Sequence, residues 1–188
     1  ENAFVLIAPD KRQIDILPFG QIEKEGKVSV KGTGMTTIYV DGMKEVFEEG
    51  VPDVTFEEHI TFKVCTLPGI VLLKLVAWDD RPEVRTTDIH DIADIINNFF
   101  NIFDEIIWSH HNDLFGDDTS TTLISARVLG REIGKILKRN ENLRDRIIGI
   151  IQKNTDKSDT KMAGIIASFL NQPLEEVLAL LEAIMKGI

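Results

Sequence analysis

The sequence predicts an α+β chain, strand-rich up to residue 66 and helical from residue 67 onward. Three observations predict it. The first third carries β-branched and aromatic runs separated by turn-forming residues, and the remainder carries apolar side chains at helical spacing. The step Leu67-Pro68-Gly69 separates the two textures, with a proline near a first helical turn. The chain has 188 residues, 43% of them hydrophobic, enough to bury one good core or two small ones. No repeat or low-complexity linker intervenes, so residues 1–66 read as a strand-rich unit and residues 67–188 as a helical region packed on it.

Within the first part, residues 4–8 and 13–17 are β-rich runs on either side of Pro9-Asp10-Lys11-Arg12, which reads as the turn of an antiparallel hairpin. Residues 27–30 form a short strand, 32–34 a loop, 36–40 another β-branched run, 42–49 a short amphipathic helix and 59–66 the last strand. A buried helix then runs from residue 67 to Trp78 and ends at Asp79-Asp80-Arg81-Pro82. A second begins after Thr86 or Thr87, because Ile89, Ile92, Ala93, Ile95 and Ile96 recur on one face opposite Asp88, Asp91 and Asp94. Phe99 closes that face. Residues 102–108 continue as a third helix, 116–119 form a loop and 120–138 a fourth helix. Residues 143–152, 160–170 and 174–186 complete a helical tail.

Composition narrows the function classes. A mean hydropathy of −0.02, 28% charged residues and no apolar run near the roughly 20 residues of a membrane span argue against a transmembrane segment. No secretory signal is read, and the single cysteine, Cys65, cannot form an intrachain disulfide, so a reducing, cytoplasmic location is expected. The net charge of −10 repels phosphate backbones at long range. The basic stretch from Arg127 to Arg146 reads first as a solvated helix surface and second as a docking face. The four histidines, His59, His90, His110 and His111, are too scattered for a zinc site. Lys31-Gly32-Thr33-Gly34 lacks the length and the Gly-Lys ending of a phosphate loop. No basic residue adjoins Cys65 to make it a nucleophile.

One motif carries chemistry. In Gln13-Ile14-Asp15-Ile16-Leu17-Pro18-Phe19-Gly20, strand alternation points the Asp15 carboxylate to one face while Ile14 and Ile16 pack on the other. Taken alone, this reads first as a solvent-facing aspartate on an edge strand, since an apolar-Asp-apolar triplet is common. Lys74 is the second candidate, because an ammonium inside the apolar run from Ile70 to Trp78 must snorkel to the surface, enter a cleft or meet a carboxylate.

Ile14 to Gly20 is one half of a resemblance. The other is the block Leu67-Pro68-Gly69-Ile70-Val71-Leu72-Leu73-Lys74-Leu75-Val76-Ala77-Trp78-Asp79-Asp80-Arg81, followed by Thr87-Asp88-Ile89-His90-Asp91-Ile92. Together they resemble a family of predicted bacterial nucleotidyltransferases, related to the abortive-infection AbiEii-type toxins of toxin–antitoxin systems and lying within the polymerase-beta-like superfamily. The match covers roughly residues 4–138. It implies a nucleotidyltransferase-fold sheet, mixed or antiparallel and partial here, with a C-terminal helical region. It also implies metal-dependent transfer of a nucleotide from a nucleoside triphosphate to an acceptor such as tRNA, a protein or a small molecule.

In that superfamily a Gly-Ser or Gly-Gly helix start and an Asp-x-Asp pair precede a third aspartate, and the three carboxylates hold two Mg2+ ions. Asp15 matches the third position and is the expected catalytic and metal-binding residue. Lys74, Arg81, Asp88 and Asp91 match the nucleotide-binding region, with Lys74 contacting the triphosphate. Asp88 and Asp91 either complement their helix dipole or orient Lys74 and Arg81. The expected geometry puts Asp15 on a central or penultimate strand, facing a cleft lined by Lys74. The sequence departs from the pattern upstream of Asp15, where neither the helix start nor the Asp-x-Asp pair is found, and the adjacent pairs Asp79-Asp80 and Asp117-Asp118 do not replace it. The chain therefore reads first as one cut inside a domain and second as a degenerate member that has lost this region, and in either case it is expected to be inactive by itself. The alternative is a non-catalytic binding or regulatory module that keeps the fold. A strand edge at residues 4–8 without a neighbour further implies self-association as a homodimer.

Overall fold

The computed structural model describes residues 5–31, 35–116, 119–156 and 159–188. The start of the first strand at Phe4, the loop at 32–34 and the pair Asp117-Asp118 lie outside the described residues. The chain divides into two compact units, Glu1–Lys44 and Glu45–Ile188.

In the first unit β1 (Val5–Ile7) pairs antiparallel with β2 (Gln13–Asp15), with Val5 opposite Asp15 and Ile7 opposite Gln13. Its turn follows from the predicted tetrapeptide. Asp10 Oδ1 accepts from the Arg12 amide at 3.1 Å, Oδ2 accepts from Arg12 Nε at 2.6 Å, and Lys11 takes the left-handed conformation at φ 68°. β3 (Lys27–Lys31) pairs antiparallel with β4 (Met35–Tyr39), where Ser29 and Thr37 share a hydroxyl hydrogen bond of 2.9 Å. Val28 and Val40 are buried. Gly26 is required where it stands. Its φ is +69°, and a Cβ there would meet the Asp41 carboxylate.

The second unit holds the main core. After α1 (Met43–Glu49), β5 (Asp53–Phe56) and β6 (Ile60–Lys63) form a hairpin turning on Glu57 and Glu58, both in the left-handed region at φ 48° and 61°. Six helices follow: α2 (Leu67–Asp80), α3 (Thr86–His110), α4 (Thr121–Leu137), α5 (Glu141–Thr155), α6 (Lys161–Leu170) and α7 (Leu174–Gly187). Short polar side chains start three of them. Thr66, Ser120 and Asn140 accept from the amides of Gly69, Leu123 and Leu143 at 3.3, 3.2 and 3.0 Å. Asn171, left-handed at φ 52°, ends α6. α2 is apolar nearly all round because α3, α4 and α5 pack against it, burying Val71, Leu72, Leu75, Val76 and Trp78. α4 and α7 approach most closely, across Gly130 and Gly187.

The structure is α+β, and among the described residues every sheet is a two-stranded antiparallel hairpin. Several expectations are thereby corrected. A two-stranded hairpin has no central strand, so Asp15 lies on neither a central nor a penultimate one. The last strand ends at Lys63, leaving Cys65 in the link to α2, and it pairs with β5, for which the sequence pattern predicts no strand. The expected second and third helices are both present, but they meet at Phe103, whose φ of −123° and ψ of 21° are not helical, rather than between Phe99 and Ile102. No single helix among the described residues is long and apolar enough to cross a membrane, and α6 and α7 reach that length only as a pair bent by 116°.

Candidate functional site

Lys74 stands on the half-buried side of α2, one turn before Trp78. Its ammonium donates to Asp88 Oδ1 at 2.8 Å and to Asp91 Oδ2 at 2.6 Å, joining α2 to α3. Three residues apart on α3, Asp88 and Asp91 share one face. They also lie near the positive end of that helix, so dipole complementation and orientation of Lys74 are served by the same two carboxylates. Burial by itself would lower the Lys74 pKa, but the hydrogen bonds to Asp88 and Asp91 outweigh it and the pKa is raised. The lysine is therefore charged, held in one direction, and retains one N–H without a partner among the described residues.

Arg81 is not in this cluster. Its backbone amide caps α2 by donating to the carbonyls of Ala77 and Trp78 at 3.3 and 3.2 Å, and its exposed guanidinium has no partner among the described residues. Arg85, which the sequence reading passed over, places Nη1 3.5 Å from Asp88 Oδ2. That is an ionic contact too long for a hydrogen bond, and Asp88 Oδ2 is otherwise buried without one. The arrangement is a lysine between two aspartates with an arginine behind the more buried of them.

Asp15 belongs to the first unit and Lys74, Arg81, Asp88 and Asp91 to the second. The Asp15 carboxylate is exposed and accepts from Gln13 Nε2 at 2.9 Å. Ile14 and Ile16, expected to be packed, expose 50% and 51% of their surface. No group of three or more His, Cys, Asp or Glu side chains among the described residues is arranged to hold a metal ion. Asp15 by itself offers one of the several carboxylates that a two-ion centre needs.

Five of the seven cations of the basic stretch are held by contacts within the second unit. Arg146 reaches Asp79 at 2.9 Å and Asp80 at 2.7 Å, tying α5 to the end of α2. Arg131 forms a two-pronged pair with Asp113, Lys135 reaches Glu132 at 2.6 Å, and Arg139 reaches Glu49 at 3.3 Å. Arg144 donates to the backbone carbonyl of Ile188. A phosphate-binding face would need these cations free. The Cys65 thiol is pushed up in pKa by burial, which suits an unreactive side chain.

Sequence reasoning missed one further set. His111, just after α3, is buried against Arg131 and Glu132 of α4, an arrangement that histidine spacing alone cannot show. No protein-family model matches the chain, and neither the curated proteins nor the solved structures give a significant match.

Proposed function

We propose that the chain is part of a nucleotidyltransferase-type protein whose helical region presents Lys74 to the triphosphate of a nucleoside triphosphate. The observation that carries the reading is the Lys74 ammonium, anchored by Asp88 and Asp91 at 2.8 and 2.6 Å with one N–H left to give. Two aspartates make the lysine a positioned donor rather than a mobile one, and a phosphate oxygen meeting that N–H would form a charge-assisted hydrogen bond. The resemblance carried by Ile14 to Gly20 and by residues 67–92 supports the same assignment. Exposed Arg81 is the second cation proposed for the phosphates, and Asp15 the residue proposed to meet magnesium. Two Mg2+ ions, an acceptor such as tRNA or a protein, a homodimer, a cytoplasmic location and a toxin-type role belong to this proposal at the same level. The described residues supply one carboxylate of the required set, so transfer by this chain in isolation is expected to stay at background.

The same ion pairs favour a second reading, a non-catalytic binding or regulatory module, because a lysine neutralised by two carboxylates is also a sufficient strut between α2 and α3. Calorimetric titration with magnesium–ATP and magnesium–GTP separates the two. The nucleotide reading expects saturable binding that falls by roughly tenfold or more in Lys74→Met, the loss of one charge-assisted contact, with the helical circular dichroism retained. Absence of binding to the unaltered chain would leave the strut. Robust incorporation of labelled nucleotide that disappears in Asp15→Ala would show instead that one carboxylate suffices.

A further inference from the structure

The break at Phe103 opens the second unit where α3, α4 and the start of α2 meet. A pocket of about 790 Å³ lies there, within the range of small-molecule sites. Phe99, Phe103, Ile106, Val128 and Ile136 give it an apolar lining, with the rings of Phe99 and Phe103 4.6 Å apart. His111, 6% exposed, is part of its wall.

The protonation of that histidine follows from its partners. Arg131 Nη1 lies 3.2 Å from His111 Nδ1, and a guanidinium only donates, so Nδ1 accepts and the ring proton sits on Nε2. Burial, and then the charge of Arg131, hold the pKa below its usual value, which keeps the ring neutral. The nearest acceptor for Nε2–H is Glu132 Oε1 at 3.6 Å, beyond hydrogen-bond reach. The charges around the pocket are already matched. Arg131 is paired with Asp113, Lys135 with Glu132, and Glu49 with Arg139. A charged ligand entering this apolar space would lose its hydration and find no unpaired counter-ion.

We propose that this pocket is a binding site for an uncharged, mainly apolar small molecule, whose hydrogen-bond acceptor, a carbonyl or ring nitrogen, docks on Nε2–H of His111. The site is independent of Lys74 and of the nucleotide reading. The Phe99 and Phe103 rings favour an aromatic body for the ligand.

Three near-isosteric probes test it: 4-phenylbutanamide, 4-phenylbutanoate and 4-phenylbutylamine, each titrated against the whole chain while methyl and histidine-ring resonances are followed by NMR. The amide is expected to give saturable shifts at Ile106, Ile136 and His111, and the carboxylate and ammonium to bind roughly tenfold or more weakly. Ile106 is 48% exposed, so Ile106→Trp narrows the pocket from its rim without loading the core, and it should abolish the saturable shifts while the rest of the spectrum persists. His111→Phe should remove the preference for the amide, and His111→Gln, which keeps a donor, should restore part of it. Absence of saturable amide shifts at these residues, tighter binding of either charged probe, or binding that survives Ile106→Trp would each overturn the assignment.

Discussion

At the scale of residues, Lys74 and His111 are both titratable groups in apolar surroundings, and they end in opposite states: the two aspartates outweigh burial at Lys74, whereas burial, with Arg131 beside it, keeps His111 neutral. The Lys74 side chain is 23% exposed and that of Asp88 13%, so removing the ammonium strands a nearly buried carboxylate. Lys74→Met is expected to cost about 1–3 kcal/mol in urea unfolding. Asp91→Asn should cost less, because the Asp91 side chain is 55% exposed. For His111 the folded pKa lies below the ordinary 6.5. As pH falls through about 6.5 the unfolded chain takes up the proton first, so stability is full above that value and declines below it. Arg131 and Lys135 oppose protonation while Glu132 and Asp113 favour it, and Glu49 and His110 also line the pocket. Arg131 holds the Asp113 pKa below 3.8, so the interval from pH 6.5 to about 5 reports the histidine rather than that carboxylate. Unfolding midpoints of the unaltered chain should slope downward across this interval, and those of His111→Gln should slope less. Equal slopes would remove His111 as the cause.

At the scale of elements, α2, α4 and α5 begin where short polar side chains satisfy their first amides. Ser120 is exposed and its hydroxyl accepts from Leu123 at 3.2 Å, so Ser120→Ala should cost about 1 kcal/mol with no loss of core packing. The β5–β6 hairpin presents a different physics. Val54, Phe56, Ile60 and Phe62 expose 40% to 55% of their surface, and each strand of the pair keeps one edge without a partner among the described residues. Light scattering across a concentration series should therefore show self-association, reduced by Phe56→Lys together with Phe62→Lys. A monodisperse monomer at high concentration would contradict this.

At the scale of the whole molecule, each unit depends on a few close approaches, and the tightest described one between two backbones is α4 against α7. A Cβ at Gly130 would lie 2.1 Å from the carbonyl oxygen of Ile184, and the neighbouring Gly187 is within 3.0 Å of the same position. The two backbones must separate to admit a methyl group, so Gly130→Ala is expected to cost about 2–3 kcal/mol. Gly149 is the control. It stands on the exposed side of α5 with nothing within 4 Å of an added Cβ, and Gly149→Ala should stabilise by about 0.5–1 kcal/mol through the unfolded chain. Opposite shifts of the two urea midpoints are the expected result. Equal shifts would show that helix contact is not what Gly130 serves.

The sequence by itself determined the features that arise within a few residues. The start of α2 at Leu67 was legible from Pro68, that of α7 from Pro173, and the turn between β1 and β2 from Pro9-Asp10-Lys11-Arg12, because capping and turn chemistry act over one to four residues. The inward faces of α3 and α4 were legible for the same reason, since helical spacing puts them on one side. Tertiary structure decided the rest. Four residues of β5 become a strand only because β6 pairs with them. Lys74 announced that its ammonium needed a partner, but the choice of Asp88 and Asp91 over Arg81's neighbourhood depended on which faces of α2 and α3 meet. Alternation put Ile14 and Ile16 on one side of Asp15 without showing whether that side is covered, and it is half open. The Arg127 to Arg146 stretch reads as a solvated helix surface or a docking face, and only the fold shows that residues scattered from Glu49 to Ile188 meet Arg131, Lys135, Arg139, Arg144 and Arg146. His111 and Arg131 are 20 residues apart and touch only because α4 folds back along α3. Charge state and burial are set by such distant neighbours, which local sequence pattern does not name.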